Sequence, residues 1–134
     1  MNKVAILIAA LLTSSECLAL RDFKCTVLDS VVLSSEGLLD KKSDLASNYI
    51  GKEFVVNRST GQISGSGFTN TMSGQQPQVF EYLPEENAFK AITVYSPNYT
   101  VDYLQINTYA ESAEKPFFYK GAFGTMVSGT CAYY

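Results

Sequence analysis

Histidine and tryptophan are both absent from this 134-residue chain. Without an imidazole, the chain cannot form a Ser-His-Asp or Cys-His catalytic set, and it lacks the ligand that most transition-metal sites use. The Gly-rich phosphate loops of nucleotide-binding enzymes and the G-x-S-x-G element of esterases are missing as well. The sequence therefore predicts a protein that is not an enzyme, with no catalytic residue, no metal site and no cofactor.

Charge is also scarce and nearly balanced. The chain has 10 Lys and Arg residues against 13 Asp and Glu residues, so its formal net charge is −3. Nucleic acids and anionic membrane surfaces attract proteins through clustered basic side chains. Lys41 and Lys42 are the one adjacent basic pair in the sequence. Neither nucleic acid nor an anionic lipid surface is therefore an expected partner.

The one long apolar run lies at the beginning of the chain. After Lys3, the segment Val4–Leu12 is uninterrupted and apolar, and a small residue, Ala19, precedes a suitable cleavage point. The run is about half of the ~20 residues that span a bilayer, which argues against a membrane anchor. The sequence predicts a signal peptide over residues 1–19 and a single mature domain over 20–134. The protein is then periplasmic or secreted, with no membrane span after cleavage.

Cysteine is rare, and its positions are informative. Cleavage would remove Cys17 and leave Cys25 and Cys131, which lie near the two ends of the mature chain. Two cysteines in an oxidising compartment are expected to pair with each other. A bridge that encloses a loop of this size contributes about 4–5 kcal/mol in the chain-entropy model. We predict a Cys25–Cys131 disulfide, with two free thiols as the alternative.

Hydrophobic residues recur mainly with a period of two. In the segment 23–33 the apolar residues alternate with polar ones, and later segments rich in Val, Ile, Thr, Tyr and Phe repeat this strand-like pattern. One segment differs, because Ser43 is a good N-cap and Gly51 a good stop for a short helix. We predict about seven to eight strands in a small antiparallel up-and-down barrel (calycin-like) or a sandwich. A terminal disulfide favours the barrel, since its first and last strands are neighbours.

Four carboxylates fall inside the strand-like runs: Asp29, Glu53, Glu81 and Asp102. Two of them meeting across a barrel mouth could act as acid and base on a glycan. No spacing in the sequence predicts that two of these carboxylates face each other, so we interpret the four carboxylates as solvated or ion-paired. Asp29 is the exception, because the alternation of its strand places it inward. We predict it as a buried polar residue, with Arg58 as a possible buried partner.

Tyrosines cluster between residues 95 and 109. In the strand that ends there, the face opposite Leu104 and Ile106 carries tyrosine and amide side chains, which suit recognition of a protein, a glycan or a small amphiphile. The alternative is that tyrosine is present simply as a good strand former. The candidate binding face comprises Tyr95, Tyr99, Tyr103, Gln105, Asn107 and Tyr109. The polar segment Thr69–Gln78 is predicted to be the longest exposed loop.

Three stretches together carry a resemblance: "FKC" at residues 23–25, "FVVNRSTGQISG" at 54–65 and "PFFYKGAFGTMVSGTC" at 116–131. They resemble an uncharacterised family of small exported β proteins of Gram-negative bacteria. The resemblance implies an extracytoplasmic location and the disulfide, and supplies no catalytic residue. A looser similarity to periplasmic barrels that inhibit lysozyme rests on size, export, the disulfide and β content alone.

These observations lead to several hypotheses about function. The first is an exported, non-enzymatic binding module for an unknown protein or small ligand. The alternatives are a periplasmic inhibitor of a cell-wall hydrolase and a lipocalin-like carrier of a small ligand, and a carboxylate-based glycan hydrolase comes last. A large internal cavity would favour the carrier, and two inward carboxylates would favour the hydrolase. A filled interior with an exposed apolar patch would favour a protein-binding module.

Overall fold

A computed structural model describes residues 20–81 and 87–134 of the chain. The predicted signal peptide, residues 1–19, lies outside the described residues. The described part is mainly β, as predicted. Its elements are β1 (Phe23–Leu33), β2 (Leu39–Asp40), α1 (Asp44–Ser47), β3 (Glu53–Val56), β4 (Ile63–Ser64), a 3₁₀ turn (Met72–Gly74), β5 (Gln78–Phe80), β6 (Phe89–Tyr95), β7 (Thr100–Ile106), β8 (Lys115–Lys120) and β9 (Thr125–Tyr133).

All pairings are antiparallel, and the strands form one curled, barrel-like sheet in the order β4-β3-β1-β9-β8-β7-β6-β5, with β2 paired to β1. Consecutive strands are neighbours almost everywhere, and the first long strand pairs with the last, as an up-and-down barrel requires. The barrel prediction is therefore confirmed over the sandwich. Nine strands occur in the described residues instead of seven or eight, because β2 is a two-residue strand with no periodic signal of its own.

The predicted disulfide is confirmed. Cys25 and Cys131 are directly opposite each other in the β1–β9 pair, their Cα atoms are 3.9 Å apart, and they are joined by an S–S bond. Both side chains are fully buried. The bridge therefore links the first and last long strands inside the barrel core.

Side chains on the inner face pack into one apolar cluster, because residues alternate inward and outward along each strand. Phenylalanine rings form much of the cluster, and the rings of Phe54 and Phe117 meet edge to face with centroids 5.3 Å apart. The largest fully buried apolar side chains are Phe23, Phe54, Phe89, Leu104, Ile106, Val27 and Val56. The interior of the barrel is thus filled by its own side chains.

A β-bulge interrupts β1 and corrects one prediction. The register of β1 against β9 shifts between Val27 and Asp29, so Leu28 is extra and turns outward, 60% exposed. One inserted residue exchanges the two faces of a strand. The prediction that Asp29 is buried is therefore wrong: its side chain is half exposed and pairs with Lys41 at 2.7 Å. Opposite the bulge stands Gly129, where a Cβ would lie 1.9 Å from a backbone oxygen.

The edges β4 and β5 are not paired through their backbones, and side chains close this seam. The amide of Asn70 accepts a hydrogen bond from the backbone N–H of Ile63 and donates one to the carbonyl of Gly61, both at 2.8 Å. The backbone carbonyl of Asn70 accepts a hydrogen bond from the hydroxyl of Thr93 on β6, also at 2.8 Å. Asn70 is 1% exposed. A single buried asparagine thus joins β4 to β6 across the seam.

An ion pair closes the same seam nearer to the start of β1 and the end of β9. The guanidinium of Arg58 pairs with the carboxylate of Glu81, and both side chains are almost fully buried. The same guanidinium lies over the rings of Phe23 and Tyr133, at 5.1 and 5.6 Å from their centroids. The prediction that Arg58 is buried is confirmed, although its partner is Glu81 and not Asp29. Glu81 is thus ion-paired, one of the two states expected for it, although the pair is buried.

Candidate functional site

The barrel has two dissimilar ends. One end holds the start of β1 and the end of β9, where Phe23 pairs with Tyr133. The other, which we call the distal end, holds the β1–β2, β6–β7 and β8–β9 connections. The nine residues of β9 rise about 3.3 Å each, so the two ends are roughly 25 Å apart.

Large apolar side chains are exposed around the distal end. Leu33 is opposite Leu39 in the β1–β2 hairpin, and Val32 pairs with Thr125, which places this hairpin beside the β8–β9 turn that carries Phe123. Exposed apolar groups that lie together, unlike single ones, mark an interaction surface. We call this set the distal apolar rim; its members and exposed fractions are Leu33 (64%), Leu38 (68%), Leu39 (61%) and Phe123 (88%).

A small aromatic cavity lies beside the rim. Its volume is about 70 Å³. The rings of Tyr49 and Phe68 are 5.3 Å apart between centroids, and Phe68 meets Tyr119 edge to face at 6.1 Å. Aromatic pairs favour such offset and edge-to-face contacts. The lining residues are Tyr49, Gly67, Phe68, Tyr119, Gly121, Phe123, Thr125 and Val127.

A buried carboxylate, that of Asp102, lies behind this cavity. One of its oxygens accepts hydrogen bonds from the hydroxyl of Tyr119 at 3.0 Å and from the backbone N–H of Ala122 at 2.6 Å. The other accepts a hydrogen bond from the hydroxyl of Tyr95. Asp102 is 2% exposed, and no Lys or Arg of the described residues forms an ion pair with it. Three donors thus replace a cation as its partners.

These contacts change the acidity of the two phenols. Burial raises the pKa of Tyr95 and of Tyr119, and the negative charge and hydrogen bonds of Asp102 raise both pKa values further. Both hydroxyls therefore stay protonated and act as donors throughout the neutral range. They do not suit the role of a general base, which needs a pKa near the working pH.

Asp102 also fixes the geometry of the distal end. Its partners lie on β6 and β8 and in the turn after β8, while the residue itself belongs to β7. Because Ala122 directly precedes Phe123, the bond to its backbone N–H anchors the turn that presents this ring. The carboxylate therefore acts as a structural centre for the aromatic cavity and for part of the rim.

Sequence reasoning missed Asp102, although a signal was present. The residue shares a strand face with Leu104 and Ile106, and that alternation places it inward. The expectation that it is solvated or ion-paired is wrong, because two phenols and an amide satisfy it. Glu53, in contrast, is half exposed and pairs with Lys24 at 3.3 Å, as expected.

The predicted tyrosine face is only partly one surface. Tyr103 and Gln105 lie outward on β7 and Asn107 directly follows the strand, all three half buried. Their side chains form a row in which Tyr103 donates to Gln105 at 2.7 Å and Gln105 donates to Asn107 at 2.9 Å. Phe118 on β8 is 41% exposed, and its ring centroid is 6.5 Å from that of Tyr103. These residues occupy the side wall of the barrel.

The other three tyrosines lie elsewhere. Tyr95 points into the barrel and is 6% exposed, so the prediction that it belongs to the binding face is wrong. Tyr99 is 75% exposed in the β6–β7 turn at the distal end, and Tyr109 is 54% exposed after β7 at the opposite end. The six residues therefore do not form one site.

The segment Thr69–Gln78 is also less exposed than predicted. Its Asn70 is the buried residue of the seam. Further along, the side-chain amide of Gln75 exchanges two hydrogen bonds with the backbone of Ser96, at 2.8 and 3.3 Å. The segment therefore serves mainly to close the barrel and to hold the β6–β7 turn.

No protein-family model, curated protein or solved structure matches this chain in comparisons with known proteins. The resemblance to exported bacterial β proteins accordingly stays a prediction. Within residues 20–81 and 87–134, no helix is long and apolar enough to cross a membrane. The same residues contain no cluster of three or more Cys, Asp or Glu side chains placed to hold a metal ion.

Proposed function

We propose that the protein is an exported, non-enzymatic binding module, acting in the periplasm or outside the cell, that docks a partner protein on the distal apolar rim. One observation carries the proposal: four large apolar side chains are exposed at one end of the barrel, and Phe123 among them is 88% exposed. A solvent-exposed ring held on an anchored turn is costly unless something covers it.

The charges around the rim favour a protein as the occupant. Acidic and basic side chains both occur in the β1–β2 hairpin and directly after it: Glu36 and Asp40 with Lys41 and Lys42. An apolar centre with a polar border of both signs is the anatomy of protein–protein interfaces. An anionic membrane attracts basic segments, and these charges sum to zero. We therefore expect a partner with an apolar patch and its own mixed-charge border.

The filled interior weighs against a carrier. Lipocalin-like proteins hold their ligands in enclosed cavities of roughly 300–1,000 Å³. The spaces of about 720 and 370 Å³ among the described residues are open surface depressions, lined mainly by exposed and half-buried residues. The aromatic cavity measures about 70 Å³. The hydrolase alternative needs two facing carboxylates. Asp102 is the one fully buried acid among the described residues, and its hydrogen bonds hold three parts of the fold together.

Site-specific photocrosslinking in exporting cells tests the proposal. A photoreactive residue at position 123 or 39 should give the same protein adduct. The matched control is position 109, an exposed tyrosine at the opposite end, which should give none. An adduct with phospholipid, an adduct with a second copy of this chain, or the same adduct from position 109 would each contradict the proposal.

Affinity measurement with the purified partner completes the test. Because burying a Leu or Phe side chain contributes about 1.5–3 kcal/mol, Leu39→Ser and Phe123→Ser should each weaken binding about tenfold or more. Tyr109→Ser should leave it unchanged. Equal affinities for all three variants would show that the rim is not the docking surface.

A further inference from the structure

We propose that the aromatic cavity binds a quaternary ammonium group, the trimethylammonium head that choline carries. This inference goes beyond the proposed function, because it concerns the cavity and not the rim around it. It depends on three features of the cavity: its rings, the buried charge behind them and the chemistry of its lining.

The rings supply the first argument. The ring of Phe68 lies between two others, 5.3 Å from that of Tyr49 and 6.1 Å from that of Tyr119, and Phe123 adds a fourth ring to the lining. The negative faces of aromatic rings attract cations, and groups of such rings recognise quaternary ammonium ions. Tyr49 already has a cation near it: the ammonium of Lys52 is 5.2 Å from its centroid. Lys52 is not among the lining residues, so the cavity itself stays open to another cation.

The buried charge supplies the second argument. Tyr119 lines the cavity and donates a hydrogen bond to the carboxylate of Asp102 at 3.0 Å. The negative charge makes the ring of Tyr119 richer in electrons. In a poorly solvated interior this charge is weakly screened. The carboxylate therefore makes the potential at Tyr119 more negative, which favours a cation over a neutral group of the same shape.

The lining decides which cation fits. A primary ammonium has three N–H donors and a guanidinium five, and each needs an acceptor when buried. The walls consist mainly of rings, Val127 and two glycines, which offer few acceptors. A trimethylammonium group has no donor to satisfy. The volume of about 70 Å³ exceeds two waters' share of liquid, ~30 Å³ each, so a group of a few heavy atoms fits.

A pair of isosteric probes tests the charge. Choline and 3,3-dimethylbutan-1-ol have the same shape, but only choline is charged. In NMR titrations, choline should shift the ring signals of Phe68 and Tyr119 in a saturable way, about tenfold more tightly than the alcohol. Equal affinity would show a plain apolar pocket and overturn the proposal, as would the absence of any saturable shift.

Two variants separate the contribution of the buried charge from that of the rings. Asp102→Asn removes the charge, while its amide oxygen can still accept hydrogen bonds from Tyr119 and Ala122. The affinity for choline should therefore fall towards that for the alcohol, and the affinity for the alcohol should not change. Asp29→Asn, on the outer wall, is the matched control and should change neither. If Asp102→Asn does not fold, Phe123→Leu takes its place, because position 123 is exposed and leucine keeps an apolar wall but removes the ring. Phe123→Leu should weaken choline binding more than it weakens binding of the alcohol, and an equal loss for both would contradict a cation site.

Vesicles identify where the trimethylammonium group comes from. Free choline and phosphatidylcholine vesicles present the same head, and phosphatidylglycerol vesicles serve as control. Binding of free choline without binding to phosphatidylcholine vesicles indicates a soluble ligand, while binding of both indicates a lipid head. Either result supports the site, and failure of free choline to bind overturns it. Leu39→Ser should leave choline binding intact, so failure of the cavity and failure of the protein-docking rim are distinguishable.

Discussion

Replacing Asp102 by alanine should destabilise the fold strongly. The change leaves three donors without their acceptor: the hydroxyls of Tyr95 and Tyr119 and the backbone N–H of Ala122. Tyr119 retains a weak alternative in the carbonyl of Thr69 at 3.4 Å. Ala122 is only half buried and can reach water. Tyr95 is the donor stranded most completely. Since each unsatisfied buried donor costs about 1–3 kcal/mol, we expect a loss of about 2–4 kcal/mol.

Urea unfolding of the purified mature domain measures this loss, with an unchanged dependence on denaturant as evidence of an intact fold. Asp29→Ala is the matched control, because Asp29 also lies on a strand and also has hydrogen-bond partners, but is exposed to solvent. Surface pairs contribute little, so this variant should be close to wild type. If both variants lose the same amount of stability, the structural role assigned to Asp102 is refuted.

Three further predictions concern backbone, bridge and pH. Gly129→Ala should abolish or severely impair folding, since its Cβ would lie 1.9 Å from a backbone oxygen. Gly121→Ala, whose Cβ would have its nearest contacts at 3.7 Å, should be tolerated. Thermal melts compare the two variants. Cys131→Ser should cost up to about 4–5 kcal/mol, and a melting temperature equal to that of the oxidised wild type would show that the bridge is idle. Because the phenol pKa values of Tyr95 and Tyr119 are raised above their ordinary 10.0, their stabilisation is complete below about pH 10 and is lost above it. The free energy of unfolding should fall from pH 9 to pH 11, and it should fall less in a variant that carries both Tyr95→Phe and Tyr119→Phe.

Much of this fold could be predicted from the sequence, because its signals are periodic or compositional. Alternation marked the long strands, and Cys25 and Cys131, far apart in sequence, indicated the β1–β9 closure before any strand order was known. The N-cap of the short helix was equally readable: the hydroxyl of Ser43 accepts a hydrogen bond from the N–H of Ala46 at 3.3 Å.

The failures have physical reasons. The bulge at Leu28 adds one residue and exchanges the faces of β1, so a faultless count of alternation places Asp29 on the wrong side. Asn70 closes the seam through a contact between segments that no local pattern encodes. Rim residues such as Leu39 look like core residues in a sequence, because exposure of an apolar side chain is decided by the position of its hairpin in the whole fold.

The start of β1 and the end of β9 lie close together, which has a practical consequence for residues 20–134. The N–H of Tyr134 donates a hydrogen bond to the carbonyl of Asp22 at 2.9 Å, so β1 begins where β9 ends, far from Phe123. A short linker could join them without strain, and new ends could then be opened in an exposed turn. For the same reason, a tag or a surface tether attached after Tyr134 would orient every molecule on a sensor chip alike, with the distal end facing the solution.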